Sequence, residues 1–490
     1  MELDPTPCYQ AMLRRDRHFD GRFFVGVRTT GVYCRPICPA PTPKRENVQF
    51  YACAAAAEAA GFRPCLRCRP ETSPGTPAWL GSSAVVSRAL RLIRDGALDG
   101  GDVEQLAARL GIGGRQLRRL FDKHLGASPA AVARARRLHF ARVLIDETDV
   151  AMTEIAFSAG FNSVRQFNHA VRLTFARSPR QLRARRLRPG PVRGSEGLTV
   201  RLAYRPPFDW PGLLRFLAGR ATPGVEVVRD GTYQRTLAID DAAGWFSVEA
   251  EPGQAALRLC LHLPDCAAAL PVVERVRRMF DLTADPSAVA AHLRRSTALR
   301  ALVDAAPGLR VPGAWDPFEL TVRAILGQQV TVKGATTLAG RLVAAFGRPV
   351  ALGDGLTHLF PTAAVLADAD VAAMGMPRAR AETVRALARA VADGSLVLDA
   401  PLGLDDALQR LCAVPGIGPW TAHYVAMRAF GEPDAFPAGD LGLRSALGNG
   451  AGPLAEAAVV RAAEAWRPWR AYAALHLWSS LDPEPPRRTT

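Results

Sequence analysis

The chain has 490 residues, about three domains' worth at roughly 150 residues each. With 48% apolar and 22% charged residues, it is neither a disordered chain, nor a fibrous repeat, nor a scaffold too small for a core. The net charge of +16 is unevenly spread: residues 1–80 carry +4, residues 81–195 carry +12, and residues 196–490 carry none.

Basicity is therefore local, which is the footprint of phosphate binding. A plain solvated basic face is the other reading of such a block. The N-terminus, Met1 to Pro5, has no basic region followed by an apolar run, so no signal peptide is expected. No stretch approaches 18 uncharged apolar residues, so no membrane partner is expected. Nine cysteines, an odd number, point to a reducing cytoplasm.

Residues 1–75 hold six of the nine cysteines. Cys34-x3-Cys38 and Cys65-x2-Cys68 are two close pairs, a spacing that suits one tetrahedral zinc on four thiolates. Disulfides are the rival, and a reducing compartment argues against them. Cys8 and Cys53 lack such spacing and read as ordinary thiols. Zinc on four thiolates carries a charge of about −2, and each bound sulfur stays a nucleophile. A purely structural zinc is the competing reading. Thr72 to Pro77, rich in Pro, Gly and Ser, reads as a linker.

Residues 82–187 read as nearly continuous amphipathic helices with an internal repeat. Ala107-x3-Gly111 recurs as Ala156-x3-Gly160, Arg115-Gln116-Leu117 as Arg165-Gln166-Phe167, and Ser128-Pro129 as Ser178-Pro179. Each copy is a helix, a glycine turn and a second helix with exposed polar residues, the helix-turn-helix pattern. The pairs are Val103–Leu110 with Gly114–His124, and Met152–Ala159 with Ser163–Leu173. Leu106, Leu110, Leu117, Phe121, Ile155, Phe161, Phe167 and Phe175 are core positions. Arg115, Gln116, Arg118 and Arg119 on one helix are candidate DNA readers, with Asn162, Ser163, Arg165, Gln166 and Asn168 on the other. Phosphate contact or solvent exposure is the alternative for each.

A second linker spans Pro189 to Ser195. Leu198, Val200 and Leu202, then Leu257, Leu259 and Leu261, alternate as strands, with a helix expected at Gly212–Ala218. From Val272 onward the pattern is helical, with breaks near 307–317, 347–361 and 431–439. Within it, Val414-Pro415-Gly416-Ile417-Gly418-Pro419-Trp420 predicts a tight hairpin feeding a helix N-terminus, where bare N–H groups can meet a phosphate. Asp440 follows 22 residues after Gly418.

Three resemblances join these motifs. The run from Phe19 through Gly31-Val32-Tyr33-Cys34-Arg35-Pro36 to Arg63-Pro64-Cys65-x2-Cys68 closely resembles the N-terminal domain of the Ada regulators. That resemblance implies zinc on Cys34, Cys38, Cys65 and Cys68, with Cys34 taking a methyl group irreversibly from a DNA methyl phosphotriester. It also implies that the loss of one negative charge strengthens DNA binding. Residues 82–187 resemble the AraC-type DNA-binding domain. Residues 198–482 resemble the helix-hairpin-helix DNA glycosylases, most closely the AlkA type, as shown by the hairpin, Arg323 to Val330, and Trp466 to Trp478.

The glycosylase resemblance implies Asp440 as catalytic carboxylate, a base pocket of Trp420, Tyr424 and Trp478, and phosphate contact at Gly416 and Gly418. The Schiff-base lysine of lyase-active relatives is replaced by Trp420, which implies a monofunctional enzyme. No cysteine follows Cys412, which excludes the iron–sulfur cluster of other relatives. Gln329 stands where the AlkA type has a leucine wedge, a departure that bears on base flipping.

The expectation is thus a multidomain chain. It has a small α+β zinc domain (1–75), an all-α double helix-turn-helix domain (82–187), an AlkA-like α+β domain (197–271) and an all-α helix-hairpin-helix glycosylase domain (272–490). It would excise alkylated purines such as 3-methyladenine. It would also act as a methylation-sensitive regulator, with double-stranded alkylated DNA, promoter DNA and RNA polymerase as partners. The alternative is a pure transcriptional regulator whose glycosylase half is an idle DNA clamp.

Overall fold

The structure is a computed structural model. It describes residues 3–74, 84–185, 197–239, 242–265, 268–398, 403–448 and 452–481. The second linker and residues 75–77 of the first lie outside these ranges. The chain forms two compact units. One comprises Met1–Pro206, Leu237–Arg277 and Leu282–Ala284; the other comprises Pro207–Thr236, Arg278–Asp281 and Asp285–Thr490.

The first unit opens with helix α1 (Pro5–Arg14), capped by the Asp4 carboxylate on Thr6 N–H with proline in the first turn. A four-stranded sheet follows, ordered β3 (Val48–Tyr51), β1 (Phe24–Val27), β2 (Val32–Cys34), β4 (Arg63–Pro64). β1 pairs antiparallel with β2, and β2 pairs parallel with β4. The parallel register sets Tyr33 opposite Pro64, so Cys34 and Cys65 leave the same end of the sheet. Helix α2 (Ala54–Ala59) is a run of small residues, and Ala54 to Ala57 are all buried. Ala55 and Ala56 pack against Ala127 and Ala135, where backbones can approach closely.

Seven helices build the helix-turn-helix region: α3 (Ala84–Arg94), α4 (Val103–Arg109), α5 (Gly114–Leu125), α6 (Pro129–Glu147), α7 (Met152–Ser158), α8 (Val164–Phe175) and α9 (Pro179–Arg183). The sequence repeat has a physical cause. Gly111 and Gly160 turn the chain at φ of 69° and 75°, where a side chain would be strained. Ser128 and Ser178 cap α6 and α9, each followed by proline in the first turn. All eight expected core residues of this region are buried.

Strand β5 (Leu198–Ala203) pairs antiparallel with β9 (Ala256–His262), which pairs with β8 (Ala242–Ala250). The predicted alternation holds: Leu198, Val200, Leu202, Leu257, Leu259 and Leu261 are buried. β6 (Glu226–Arg229) and β7 (Thr232–Ile239) form a hairpin that belongs to the second unit up to Thr236. The expected helix there begins earlier, at Trp210, because Asp209 caps it and Pro211 occupies its first turn.

The rest of the second unit is helical. Its central helix, Pro317–Leu326, is buried on nearly every side. The three expected breaks fall between helices: after Ala305, Phe346 and Arg428, and before Pro317, Ala363 and Leu441. One addition is a pair of two-residue strands, Arg348–Pro349 and His358–Leu359. Among the described residues no helix is long and apolar enough to cross a membrane.

Candidate metal centre and base-excision pocket

The sulfurs of Cys34, Cys38, Cys65 and Cys68 all lie within 4.8 Å of one another. A tetrahedral zinc with Zn–S near 2.3 Å needs sulfurs about 3.8 Å apart, so the donor set fits that ion. Cys34 and Cys68 are buried, while Cys38 and Cys65 are half-buried. Cys8 and Cys53 stand outside the cluster, and burial pushes each thiol up to about 11.

The residues flanking the ligands are fixed as well. Arg35 donates through Nε to Asp20 (2.8 Å), pairs through Nη2 with the same carboxylate, and reaches Thr72 Oγ1 at 2.8 Å. Its backbone N–H points at Cys68 Sγ, 3.4 Å away. Tyr33, fully buried, donates to Glu58 at 2.8 Å and lies 3.1 Å from His139 Nε2 on α6. Arg69, next to Cys68, pairs with Glu71 and with Asp146 near the C-terminus of α6. The cysteine loop is thus anchored on the long helix of the helix-turn-helix region.

In the second unit, helix Leu404–Cys412 and helix Pro419–Arg428 flank the predicted hairpin. Val414 and Ile417 are buried, and Gly416 and Gly418 are exposed. Gly416 has φ of 87°, and a Cβ there would lie 1.9 Å from Thr383 Oγ1. At Gly418 a Cβ would meet open space. Gln328 braces the hairpin, donating to Gly416 O and Thr421 Oγ1 at 3.1 Å each. Sequence reasoning placed Gln328 in a matching stretch without a role. Its bond spans 88 positions along the chain.

A cavity of about 400 Å³ opens beside this hairpin, lined by Trp420, Tyr424, Trp478 and Asp440, with Phe216 and Val330. Among the described lining residues Asp440 is the only carboxylate. It caps helix Leu441–Leu447, accepting Leu443 N–H on Oδ1 at 3.0 Å. Trp478 Nε1 donates to Oδ1 at 2.8 Å and Trp420 Nε1 to Oδ2 at 2.9 Å. Three donors therefore fix the carboxylate's orientation. The Trp420 ring stacks on Tyr424, centroids 5.4 Å apart and planes 6° apart, while Trp478 meets Tyr424 edge-on. The Asp434 carboxylate, six positions before Asp440, is held by Arg467 and Arg470.

Comparison with known proteins finds four family matches along the chain. The family model for the metal-binding domain of Ada matches residues 7–71, a helix-turn-helix domain matches 106–185, the AlkA N-terminal domain matches 199–316, and the HhH-GPD base-excision DNA repair superfamily matches 322–470. A Mycobacterium tuberculosis protein, described as a probable bifunctional transcriptional activator/DNA repair enzyme AlkA, is 48% identical over 98% of this chain and 97% of its own.

The chain belongs to that bifunctional activator/repair family. Escherichia coli DNA-3-methyladenine glycosylase 2 is 39% identical over 56% of this chain and 95% of its own. The fold of 57% of the chain is shared with a 3-methyladenine DNA glycosylase from Archaeoglobus fulgidus, at TM-score 0.51 and 23% identity. This member of the bifunctional family carries one zinc site on four cysteines. Its helix-turn-helix and glycosylase domains make DNA its partner.

In this family member Arg115, Gln116, Arg118 and Arg119 are exposed on α5. Arg118 forms an exposed ion pair with Glu104 at 2.8 Å. Asn162, Ser163, Arg165 and Gln166 are exposed at the start of α8, and Asn168 is half-buried. The Ser163 hydroxyl caps α8 on Gln166 N–H. The structure brings Trp420, Tyr424, Trp478 and Asp440 to one cavity but leaves Gln329 off its lining. Gln329 is exposed with φ of 57°, a left-handed conformation, and its neighbour Val330 lines the cavity.

Proposed function

We propose that the chain is a monofunctional glycosylase that hydrolyses the N-glycosidic bond of alkylated purines such as 3-methyladenine. The observation that carries this reading is one carboxylate, Asp440, held by two indole N–H groups at the edge of an aromatic cavity. The flipped base would stack on Trp420 and Tyr424, and a cationic alkylated purine gains cation–π attraction there. Asp440 would stabilise the oxocarbenium-like sugar and orient the attacking water. Trp420 stands in the hairpin where a lyase needs lysine, so the strand should stay intact. Incubating the protein with methylated duplex should release free base and leave an unbroken abasic strand. A nicked strand would overturn the monofunctional reading, and no released base would overturn the excision reading.

The zinc domain supports a second activity for Cys34. Zinc held on the four cysteines would keep their sulfurs as thiolates. Cys34 Sγ then attacks the methyl carbon of a phosphotriester. The S–C bond forms, the C–O bond breaks, and the phosphodiester departs with its negative charge restored. The protein gains one CH₂ in mass and its site loses one negative charge, which favours DNA binding. Through α6 and the Arg69–Asp146 pair, this change would reach the DNA-binding helices, with promoter DNA and RNA polymerase as the downstream partners in the cytoplasm. The domain division at 1–75, 82–187, 197–271 and 272–490 is part of the same reading. Peptide mass analysis after incubation with methylated DNA should place about 14 mass units on the Cys34 thiolate. Methyl on another cysteine overturns the assignment.

A further inference from the structure

The lining of the cavity holds a buried cation besides the carboxylate and its indoles. Arg428 is buried. Its Nε donates to Pro312 O at 2.8 Å and its Nη2 to Gly313 O at 3.3 Å. Its guanidinium also lies 4.9 Å from the Phe216 ring centroid. Two carbonyls and an aromatic face therefore hold it in one orientation. Its remaining arm, Nη1, donates to the hydroxyl oxygen of Tyr424 at 2.7 Å.

Two consequences follow for Tyr424. Its oxygen already accepts a charge-assisted hydrogen bond, which makes its own O–H a stronger donor. No described residue accepts that proton, and Tyr424 lines the cavity. Burial opposes ionisation of the phenol, yet Arg428, Arg220 and Arg323 together hold it below its usual value of 10. Glu226 and Glu319 are both taken up by Arg323 and Arg235.

The cavity is thus polarised along a chain of contacts running Asp440, Trp420, Tyr424, Arg428. One end is negative and the other is a polarised hydrogen-bond donor. Glycosidic hydrolysis separates charge in this sense. The C1′–N bond breaks and leaves its electron pair on the base. Water oxygen bonds C1′, and the proton it sheds ends on the base nitrogen of a neutral purine and in solvent when the base was cationic. A purine alkylated at N3 or N7 starts with a positive charge and departs neutral, so it needs no donor. A neutral purine departs with a developing negative charge and does need one.

We propose that Tyr424, positioned and polarised by Arg428, is the leaving-group hydrogen-bond donor of this cavity, and that the pair sets its capacity for neutral, acceptor-bearing purines relative to cationic ones. The role is specific to leaving-group charge, which separates it from stacking. Tyr424 is the residue that touches the base, and Arg428 is a positioning residue that acts through it. The inference rests on the excision chemistry proposed above.

The test uses the full chain in single-turnover assays on two duplexes, one with hypoxanthine as the neutral base and one with 7-methylguanine as the cationic base. Tyr424→Phe keeps the ring and removes the donor. It should slow hypoxanthine release about tenfold to hundredfold more than 7-methylguanine release, the range for a buried charge-assisted hydrogen bond. Arg428→Met should reproduce that selective loss, and Arg428→Lys should restore part of it. If Arg428→Met fails to fold, Tyr424→Phe decides alone. An equal loss on both bases overturns the donor role, as does a wild-type protein that releases 7-methylguanine but no hypoxanthine. A wild-type protein that releases neither base overturns the excision reading itself, and the inference with it.

Discussion

The four-cysteine cluster and the Asp440 cavity are assembled in different ways. The four cysteines come from two short segments, 34–38 and 65–68, that the parallel β2–β4 pairing brings together. The cavity draws on residues 216, 330, 420–424, 440 and 478, spread over more than 260 positions. A metal gathers its ligands directly, and its binding energy can hold a small fold together. The cavity has no such gatherer, and its geometry depends on packing throughout the helical unit. The first site should therefore be fragile to chelation, and the second should be indifferent to it and sensitive to packing throughout the helical unit.

The largest expected effect breaks that comparison at the metal. Removing zinc with a strong chelator should abolish methyl acceptance at Cys34 and leave base release unchanged, as measured by peptide mass and free-base assay on one sample. Loss of both activities would mean that the cavity depends on the zinc domain.

The next effect concerns how Asp440 is held. Trp420→Phe with Trp478→Phe keeps aromatic walls but removes both indole N–H donors to the carboxylate. Single-turnover excision should fall about tenfold to hundredfold for each lost donor to a charged group. Cys34 methylation should be untouched. A fall no larger than about threefold would show that capping by Leu443 N–H alone orients Asp440.

A smaller effect is expected at the hairpin. Gly416→Ala must bear both a left-handed φ and a clash with Thr383, at a cost of about 1–3 kcal/mol. Gly418→Ala meets open space and should fold normally. Thermal melts separate the two, and glycosylase-domain affinity for duplex should suffer more from Gly416→Ala.

The mildest effect is on pH. Burial lowers His476 to about 4, and burial with Arg470 lowers His423 to about 4. His423 Nδ1 also accepts Phe436 N–H at 3.2 Å, which requires that nitrogen unprotonated. A depressed folded-state value means that the unfolded chain takes the proton first. The stability of the helical unit should therefore be full above about 6.5 and fall as pH drops towards 4, by about 1–2 kcal/mol per imidazole between pH 7 and 5. Denaturant melts should show this loss, and His476→Gln should remove its share.

The same contrast governs what could be read from the chain. Cys34, Cys38, Cys65 and Cys68 were legible because ligand spacing is local, and the helix-turn-helix core because burial follows helical period. Caps explain the boundaries that shifted, as at Asp209, which starts its helix two residues before the expected Gly212. The cavity was legible only through its resemblance to a known glycosylase type. No local rule connects Trp478 to Asp440 across 38 positions. Gln328 on the hairpin and Arg428 on Tyr424 escaped altogether, because a brace or a positioned guanidinium leaves no spacing signature. Gln329 was chosen by position in a motif, and backbone conformation and exposure, which sequence does not carry, set it apart from the cavity lining.

The central claim is that two independent chemistries, at Cys34 and at Asp440, share one chain. The most direct measurement follows both readouts together, protein methylation and single-turnover base release, on one methylated duplex with full-length Cys34→Ala and Asp440→Asn. Asp440→Asn keeps size and can keep the two bonds accepted on Oδ1, but it removes the charge and sets an amide N–H against Trp420 Nε1, and should cost at least about 10²–10³ in excision rate with duplex affinity retained. It should accept methyl normally, and Cys34→Ala should excise normally and accept none. Near-normal excision by Asp440→Asn, or loss of excision in Cys34→Ala, would contradict the account.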